Sequence, residues 1–277
     1  MHAHKRLLIL FVLAWTLFPL LWAVSLSLKQ PIDFFTAKFV PFVSFQPTLD
    51  NWRAEWRNFD DPVGMGHSLG NSLLVAIVSS SISLVLGSLA AFALTQGRLS
   101  RNQVWRWMAL SLLPRILPPA VIAIPYAALV TLIHMNDTAI ALIFAHVALS
   151  LPLVILMMRS VMIELPANLI EAAQVDGCGW MGALWRIALP LLVPALLSVG
   201  TLCFAQSWNE FPFALLNVQH HMPTAPLAVA ALLNKDGIEF EFVGSHLVLV
   251  TLPPLLVGLL AQRFLVRGLS LGMVTGD

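Results

Sequence analysis

Apolar residues in this chain run in long unbroken blocks, unlike the alternation of a half-buried strand or the one-sided stripe of a surface helix. The blocks fall at about residues 7–28, 68–94, 107–133, 139–158, 189–216 and 244–265, and each is long enough to be a membrane span. The first covers about 33 Å as a helix at about 1.5 Å per residue, enough for a hydrocarbon core of about 30 Å. Lys5 and Arg6 precede it. A basic start and an apolar run also open a secretory signal, but this run is longer than a signal's apolar region and further spans follow, so an uncleaved anchor is expected.

The polar segments between the blocks carry most of the remaining information. Residues 29–67 hold Pro31, Pro41, Pro47 and Pro62 with several aromatics and the acidic pair Asp60 and Asp61, which predicts an ordered outer loop rather than a domain. Residues 217–243 form a second outer loop. In the second span Gly87, Ala90 and Ala91 and the serines at 79, 80, 81 and 83 predict close helix packing inside a bundle. Pro114, Pro118, Pro119 and Pro125 interrupt the third span, a break that lipid tolerates only where protein or water satisfies the freed carbonyls. Pro190, Pro194 and Pro212 lie in the fifth.

The long polar interruption after the fourth span, residues 166–188, reads as two short helices with a turn between them. Asn168 and Glu171 have capping-box spacing, Asp176-Gly177 supplies a stop, and Ala172 and Ala173 leave a smooth face. Leu189-Pro190 marks the return to the membrane, with proline in the first turn of the next helix. Basic residues set the orientation. With the N-terminus inside, the inner segments hold Lys5, Arg6, Arg98, Arg101, Arg106, Arg159, Arg186, Arg263 and Arg267, against Lys29, Lys38, Arg53, Arg57 and Lys235 outside. Both termini and residues 166–188 are thus expected in the cytoplasm.

Composition agrees: of 277 residues 58% are hydrophobic and only 10% charged, with mean hydropathy +0.84, which excludes an ordinary soluble domain. A net charge of +1 with no dense basic block excludes nucleic-acid binding. Cys178 and Cys203 are expected at different membrane levels as packing residues, with no zinc-ligand spacing around either. His220 and His221 likewise lack further ligands. No Walker A loop is present, so the chain is not an ATPase, and no Gly-x-Ser-x-Gly or paired intramembrane aspartates suggest a protease.

Glu171-Ala172-Ala173, three residues, Gly177, nine residues, Ile187, one residue, Leu189 and Pro190 resemble the EAA loop of binding-protein-dependent ABC importer permeases at every defining position. The resemblance extends over most of the chain and is similar to the carbohydrate-uptake branch, in particular the smaller permease of the maltose-transporter type. Asn71-Ser72-Leu73, Ile124-Pro125-Tyr126, Trp208-Asn209-Glu210-Phe211 and the tail from Gln262-Arg263 through Val266, Gly268-Leu269, Gly272, Val274 and Gly276 carry it. Cys178, Thr275 and Arg115 depart from the pattern, and Arg115 bears on the substrate.

The resemblance implies an all-α integral membrane protein with six transmembrane helices of the type I ABC importer fold and a cytoplasmic EAA coupling helix, a single permease domain in the bacterial inner membrane. It implies coupling to an ATPase through Glu171, Ala172, Ala173, Asp176, Gly177, Ile187, Leu189 and Pro190. Implied partners are a second permease in a heterodimer, two ATPase subunits that bind ATP and Mg, and a soluble substrate-binding protein; membrane lipid surrounds the assembly and this chain holds no cofactor. The loop at Asn234, Lys235, Asp236 and Gly237 would reach the binding protein.

Intramembrane ionisable groups are functional candidates because hydrocarbon disfavours them. Glu210, with Gln206, Trp208 and Asn209, either lines a substrate path with Asn71 and Tyr126 or ties span five to a neighbouring helix. Arg115 either counters Glu210, snorkels to the inner interface, or attracts an anionic substrate; nine positions after Arg106, snorkelling is the expectation. Tyr126 and Trp208 are expected mainly as packing residues, and His146 as a hydrogen-bonded helix contact. A proton-coupled secondary transporter with Glu210 and His146 as its relay is the alternative, and would need an internal inverted repeat.

Overall fold

The computed structural model describes residues 2–34, 40–62, 64–97, 99–218, 221–234 and 237–270. Lys38, Arg98, His220, Lys235, Asp236, Gly272, Val274, Thr275, Gly276 and Asp277 lie outside the described residues. The chain divides into two compact units, residues 1–71 with 223–253, and residues 72–222 with 254–277.

Helices α1 (His2–Ser27), α2 (Asp50–Asn58), α3 (Met65–Gln96), α4 (Arg101–Ile116), α5 (Pro119–Leu132) and α6 (Ala139–Ile163) lead into α7 (Ala167–Val175) and α8 (Trp180–Ala183). A wide turn at Leu184–Ala188, α9 (Leu189–Leu191), α10 (Val193–Trp208), α11 (Pro212–Asn217) and α12 (Ala225–Ala231) follow. Strands β1 (Leu233–Asn234) and β2 (Gly237–Ile238) pair antiparallel, Asn234 opposite Gly237, before α13 (Phe240–Ser270). Four helices, α1, α3, α6 and α13, are long and apolar enough to cross a membrane alone. Two bent pairs pass the same test together and bring the candidates to six if each is one span: α4 with α5 at 90°, and Trp180–Leu191 with α10 at 82°.

The bends correct the expectation of continuous third and fifth spans. Span three breaks at Leu117 and Pro118, where two successive prolines remove two N–H donors, while Pro114 and Pro125 stay inside helices. Its first helix begins earlier than expected, at Arg101, because Ser100 and Gln103 form a reciprocal capping box. Span five begins at Trp180, so the second half of the polar interruption is already its first segment. Leu184–Ala188 is a wide π turn in which the Leu189 N–H reaches the Leu184 carbonyl, and α9 follows it directly with Pro190 in its first turn. Span five also ends at Trp208, not near residue 216, and α11 is a separate helix.

In the first unit α2 buries Asn51 and Glu55, both polar, while Trp56 of the same helix is exposed. Asn51 Nδ2 donates to the Ser27 and Lys29 carbonyls at 3.1 and 2.7 Å, taking up orphan acceptors where α1 ends. The Glu55 carboxylate accepts from Ser245 Oγ at 2.9 Å and pairs with His246 Nε2 at 3.0 Å, so α2 is anchored to the start of α13 by buried polar groups.

The second unit has one main core. Ala91 and Phe92 of α3, Val154, Met158 and Met162 of α6, Ile170 and Ala173 of α7, Leu184, Ala188 and Leu192 around the wide turn, and Val199 and Cys203 of α10 are all buried in it. Small residues set its thickness: a Cβ on Gly87 would stand 2.5 Å from Val154 Cγ1. Gly87→Ala is therefore expected to destabilise the protein by about 1–3 kcal/mol, as overpacking does. Thermal unfolding in detergent tests this, with Gly87→Ala/Val154→Ala recovering most of the loss; an unchanged melting temperature for Gly87→Ala would show that these helices do not touch as described.

Candidate functional site

The resemblance points to two places, the polar interruption and the far end of span five. In the first, α7 begins at Ala167 behind Pro166, whose carbonyl accepts the Leu169 N–H, and no side chain caps it. The capping-box reading of Asn168 is thus wrong: Pro166 already has a fixed helical-start φ, which moves the boundary two residues earlier and puts Asn168 inside the first turn. The predicted stop is present. Gly177 has φ +85°, its N–H donates to Gln174 O at 3.1 Å, and the Cys178 N–H donates to Ala173 O at 2.9 Å, the paired bonds of a Schellman cap.

This short helix has two unlike faces. Ile170 and Ala173 are buried in the main core, and Ile187 and Leu189, half-buried, pack against the same cluster. Glu171, Ala172, Gln174, Val175, Asp176 and Gly177 are exposed, Val175 at 86%. Pro190 is exposed as well. The motif residues are thus brought together, but Ala173 serves the core and not the outer face. Val175, which sequence reasoning missed, is the apolar centre of that outer face; its signal was an apolar residue two positions past Ala173 in a helix whose buried positions are 170 and 173.

At the far end of span five the structure joins groups from three helices. His146 Nδ1 of α6 and Ser207 Oγ of α10 are 2.6 Å apart, and Ser207 Oγ and Ser79 Oγ of α3 are 3.1 Å apart, all three buried. Glu210 follows, 8% exposed, and its carboxylate turns onto the start of α11: the Phe213 N–H donates at 3.0 and 3.2 Å to the two oxygens and the Ala214 N–H at 3.3 Å to Oε2. His146 Nε2 lies 3.4 Å from Glu210 Oε2, outside hydrogen-bond geometry but close enough for attraction. Pro212 lacks an N–H, so Glu210 meets the need of two of the next free donors. Of the two readings of Glu210, the geometry matches the tie to backbone amides and to a neighbouring helix.

The other expected path residues separate. Trp208 is 1% exposed and stacks on Phe204, and the Tyr126 hydroxyl donates to the Ala141 carbonyl at 2.6 Å, so both are packing groups here. Tyr126 and Phe213 also line an apolar cavity of about 490 Å3 at the α4–α5 break. In the first unit Asn71 Nδ2 donates to the Pro223 carbonyl at 3.0 Å. Asn209 is exposed and donates to Ala205 O of its own helix. Gln206, half-buried, donates to the Leu149 carbonyl at 3.3 Å, and Arg115 Nη1 lies 3.5 Å from its Oε1. Arg115 therefore does not counter Glu210, whose oxygens are engaged by the Phe213 and Ala214 amides. Among the described residues no group of metal-ligating side chains occurs, and Cys178 and Cys203 are both free.

The family model described as "Binding-protein-dependent transport system inner membrane component" matches residues 83–271. The chain is 34% identical over 258 residues to a probable ABC transporter permease of Sinorhizobium fredii, covering 93% of this chain and 90% of the relative. It is 32% identical over 268 residues to the trehalose/maltose transport system permease of Thermococcus litoralis (94% and 92% covered). It is 29% identical over 263 residues to the sulfoquinovosyl glycerol transport system permease of Agrobacterium fabrum (94% and 89%). Among solved structures, a bacterial ABC transporter involved in the import of the acidic polysaccharide alginate shares the fold, with TM-score 0.74 over 95% of each chain at 19% identity.

Glu210→Ala is expected to cost about 1–3 kcal/mol, because the Phe213 and Ala214 amides lose a buried acceptor. Asn209→Ala, at an exposed side chain bonded to its own helix, should change stability by less than about 0.5 kcal/mol. Equal shifts in thermal unfolding for the two variants would remove the structural role given to Glu210.

Proposed function

The chain belongs to the family of binding-protein-dependent transport system inner membrane components, and from that premise we propose that it is half of a heterodimeric pore in an ATP-driven importer of a carbohydrate, polyol or sugar derivative. It is a multi-pass membrane permease of the ABC importer type, and two of its relatives are named for trehalose/maltose and sulfoquinovosyl glycerol transport. The sugar class is carried over from those relatives.

The observation that carries the ATP-driven part is the two-faced α7. Its outer face, Glu171, Ala172, Val175 and Asp176, is free for a cytoplasmic ATPase subunit, while Ile170 and Ala173 are set into the core that also holds α3, α6 and α10. A push on α7 then moves packed helices rather than a loose loop, because close-packed interiors transmit strain. Closure of two ATPase subunits, which bind the ATP and Mg, drives the change between inward-open and outward-open states. Both termini and α7 lie in the cytoplasm in this reading, and Asn234 to Gly237 face a soluble binding protein. The proton-coupled alternative is weaker here, since protonating Glu210 would disrupt the α11 cap that its carboxylate makes.

Glu171→Lys reverses a charge on the exposed face without touching the core. ATP-dependent uptake by the assembled transporter should fall by about tenfold or more, as when one partner of an interfacial charge contact is lost, while membrane insertion and co-purification of the second permease stay normal. Wild-type uptake by this variant would contradict the coupling role.

A further inference from the structure

Arg115 is placed where a charge needs a reason. Gln206, its contact, touches the carbonyl of Leu149. Leu149 lies about 15 Å along α6 from Ala139 and about 21 Å from Ile163, and Arg115 itself lies about 21 Å along α4 from Arg101, at about 1.5 Å per residue. The contact puts the guanidinium beside the middle of α6, away from both ends of that helix. Arg115 is nevertheless exposed on this chain, and among the described residues no carboxylate lies within ion-pair distance of it.

Lipid hydrocarbon is a poor environment for such a group. The remaining surroundings are a water-filled path or the second permease. The neighbours favour the path: the half-buried Gln206 amide and the exposed Asn209, three residues further along the chain at the end of α10, continue a polar strip of the kind that meets sugar hydroxyls. The guanidinium keeps most of its five donors available beyond one contact at 3.5 Å, and a planar fork of donors matches an oxyanion group in bidentate fashion. The Leu117–Pro118 break fixes this residue in the last turn of α4, so the position is held by backbone geometry.

We infer that Arg115, with Gln206 and Asn209, forms an anion-recognising station on the translocation path, and that the cargo is a sugar bearing a carboxylate, sulfonate or phosphate group. This rests on the sugar-import reading above. Gln206 orients the guanidinium, Arg115 pairs with the anionic group, and Asn209 meets a hydroxyl.

The test has two stages. The system's soluble binding protein is screened by thermal shift against sulfoquinovosyl glycerol, digalacturonate and glucose 6-phosphate, and against trehalose and maltose. ATP-dependent uptake of each sugar it retains is then measured in proteoliposomes holding the complete transporter, as wild type, Arg115→Lys and Arg115→Gln. The expected result is that an anionic sugar is retained and that Arg115→Gln slows its uptake by about tenfold or more while Arg115→Lys keeps most of it. Co-purification of the second permease should be unchanged. Retention of neutral sugars alone overturns the inference and leaves sugar import standing; retention of none overturns sugar import itself. Unchanged uptake in Arg115→Gln, or loss of the second permease from the complex, which would mark an ion pair to that subunit, also overturns it.

Discussion

Inside a hydrocarbon layer a backbone N–H or carbonyl has no water to turn to, so every interruption of a helix there must bring its own partners. The breaks in this chain obey that constraint by different means. At Leu117 and Pro118 prolines remove donors that would otherwise be orphaned, and the Val121 N–H closes a turn onto the Pro118 carbonyl at 2.9 Å. Before the bend at Leu192 the backbone widens into a π turn, and the Leu192 N–H is then shared between the Ala188 and Leu189 carbonyls, both at 3.1 Å. After Trp208 the Asn209 and Glu210 N–H groups close back onto α10, and the Glu210 carboxylate takes up the Phe213 and Ala214 donors that open α11. A buried acidic residue between two apolar helices thus caps the second of them.

The same bends connect the exposed face of α7 to the interior. Because span five starts at Trp180 and turns through 82° at Leu192, its first segment packs beside α7 while its second runs with α6. Phe92 of α3 meets Trp180 with ring centroids 4.7 Å apart, which fixes the start of that first segment. The Schellman cap at Gly177 stops α7 sharply enough for the chain to re-enter the core as α8 within a few residues. A nine-residue helix with Ile170 and Ala173 inward thus keeps one face in the core and the other exposed.

Composition and periodicity were sufficient for the four straight spans, because a continuous apolar run of that length has few other uses. The Gly177 stop was equally readable, since a glycine after Asp176 at the end of an apolar-patterned turn has a direct backbone reason. The bends were less so. Leu192 is an ordinary leucine, and its turn comes from Pro190 and Pro194 on either side together with the wide turn before them, a combination no single residue announces. Asn168 misled because a good capping residue stood one turn too late, behind a proline that had already started the helix. Glu210 was rightly singled out, yet only tertiary contacts decide that its oxygens meet Phe213 and Ala214. Arg115 was expected to snorkel by counting from Arg106; that its guanidinium meets Gln206 of α10 is a tertiary contact that no local pattern announces.

The account depends most on α7 being the surface on which a separate ATPase acts, and proximity in the membrane tests that directly. With Cys178 and Cys203 replaced, single cysteines are introduced by Ala172→Cys, Val175→Cys and, as the buried control, Ala173→Cys, and membranes holding the whole transporter are treated with a short bifunctional thiol cross-linker. The account predicts adducts to the ATPase subunit from positions 172 and 175 and little from 173. Adducts from none of the exposed positions, or equal adducts from all three, would contradict it.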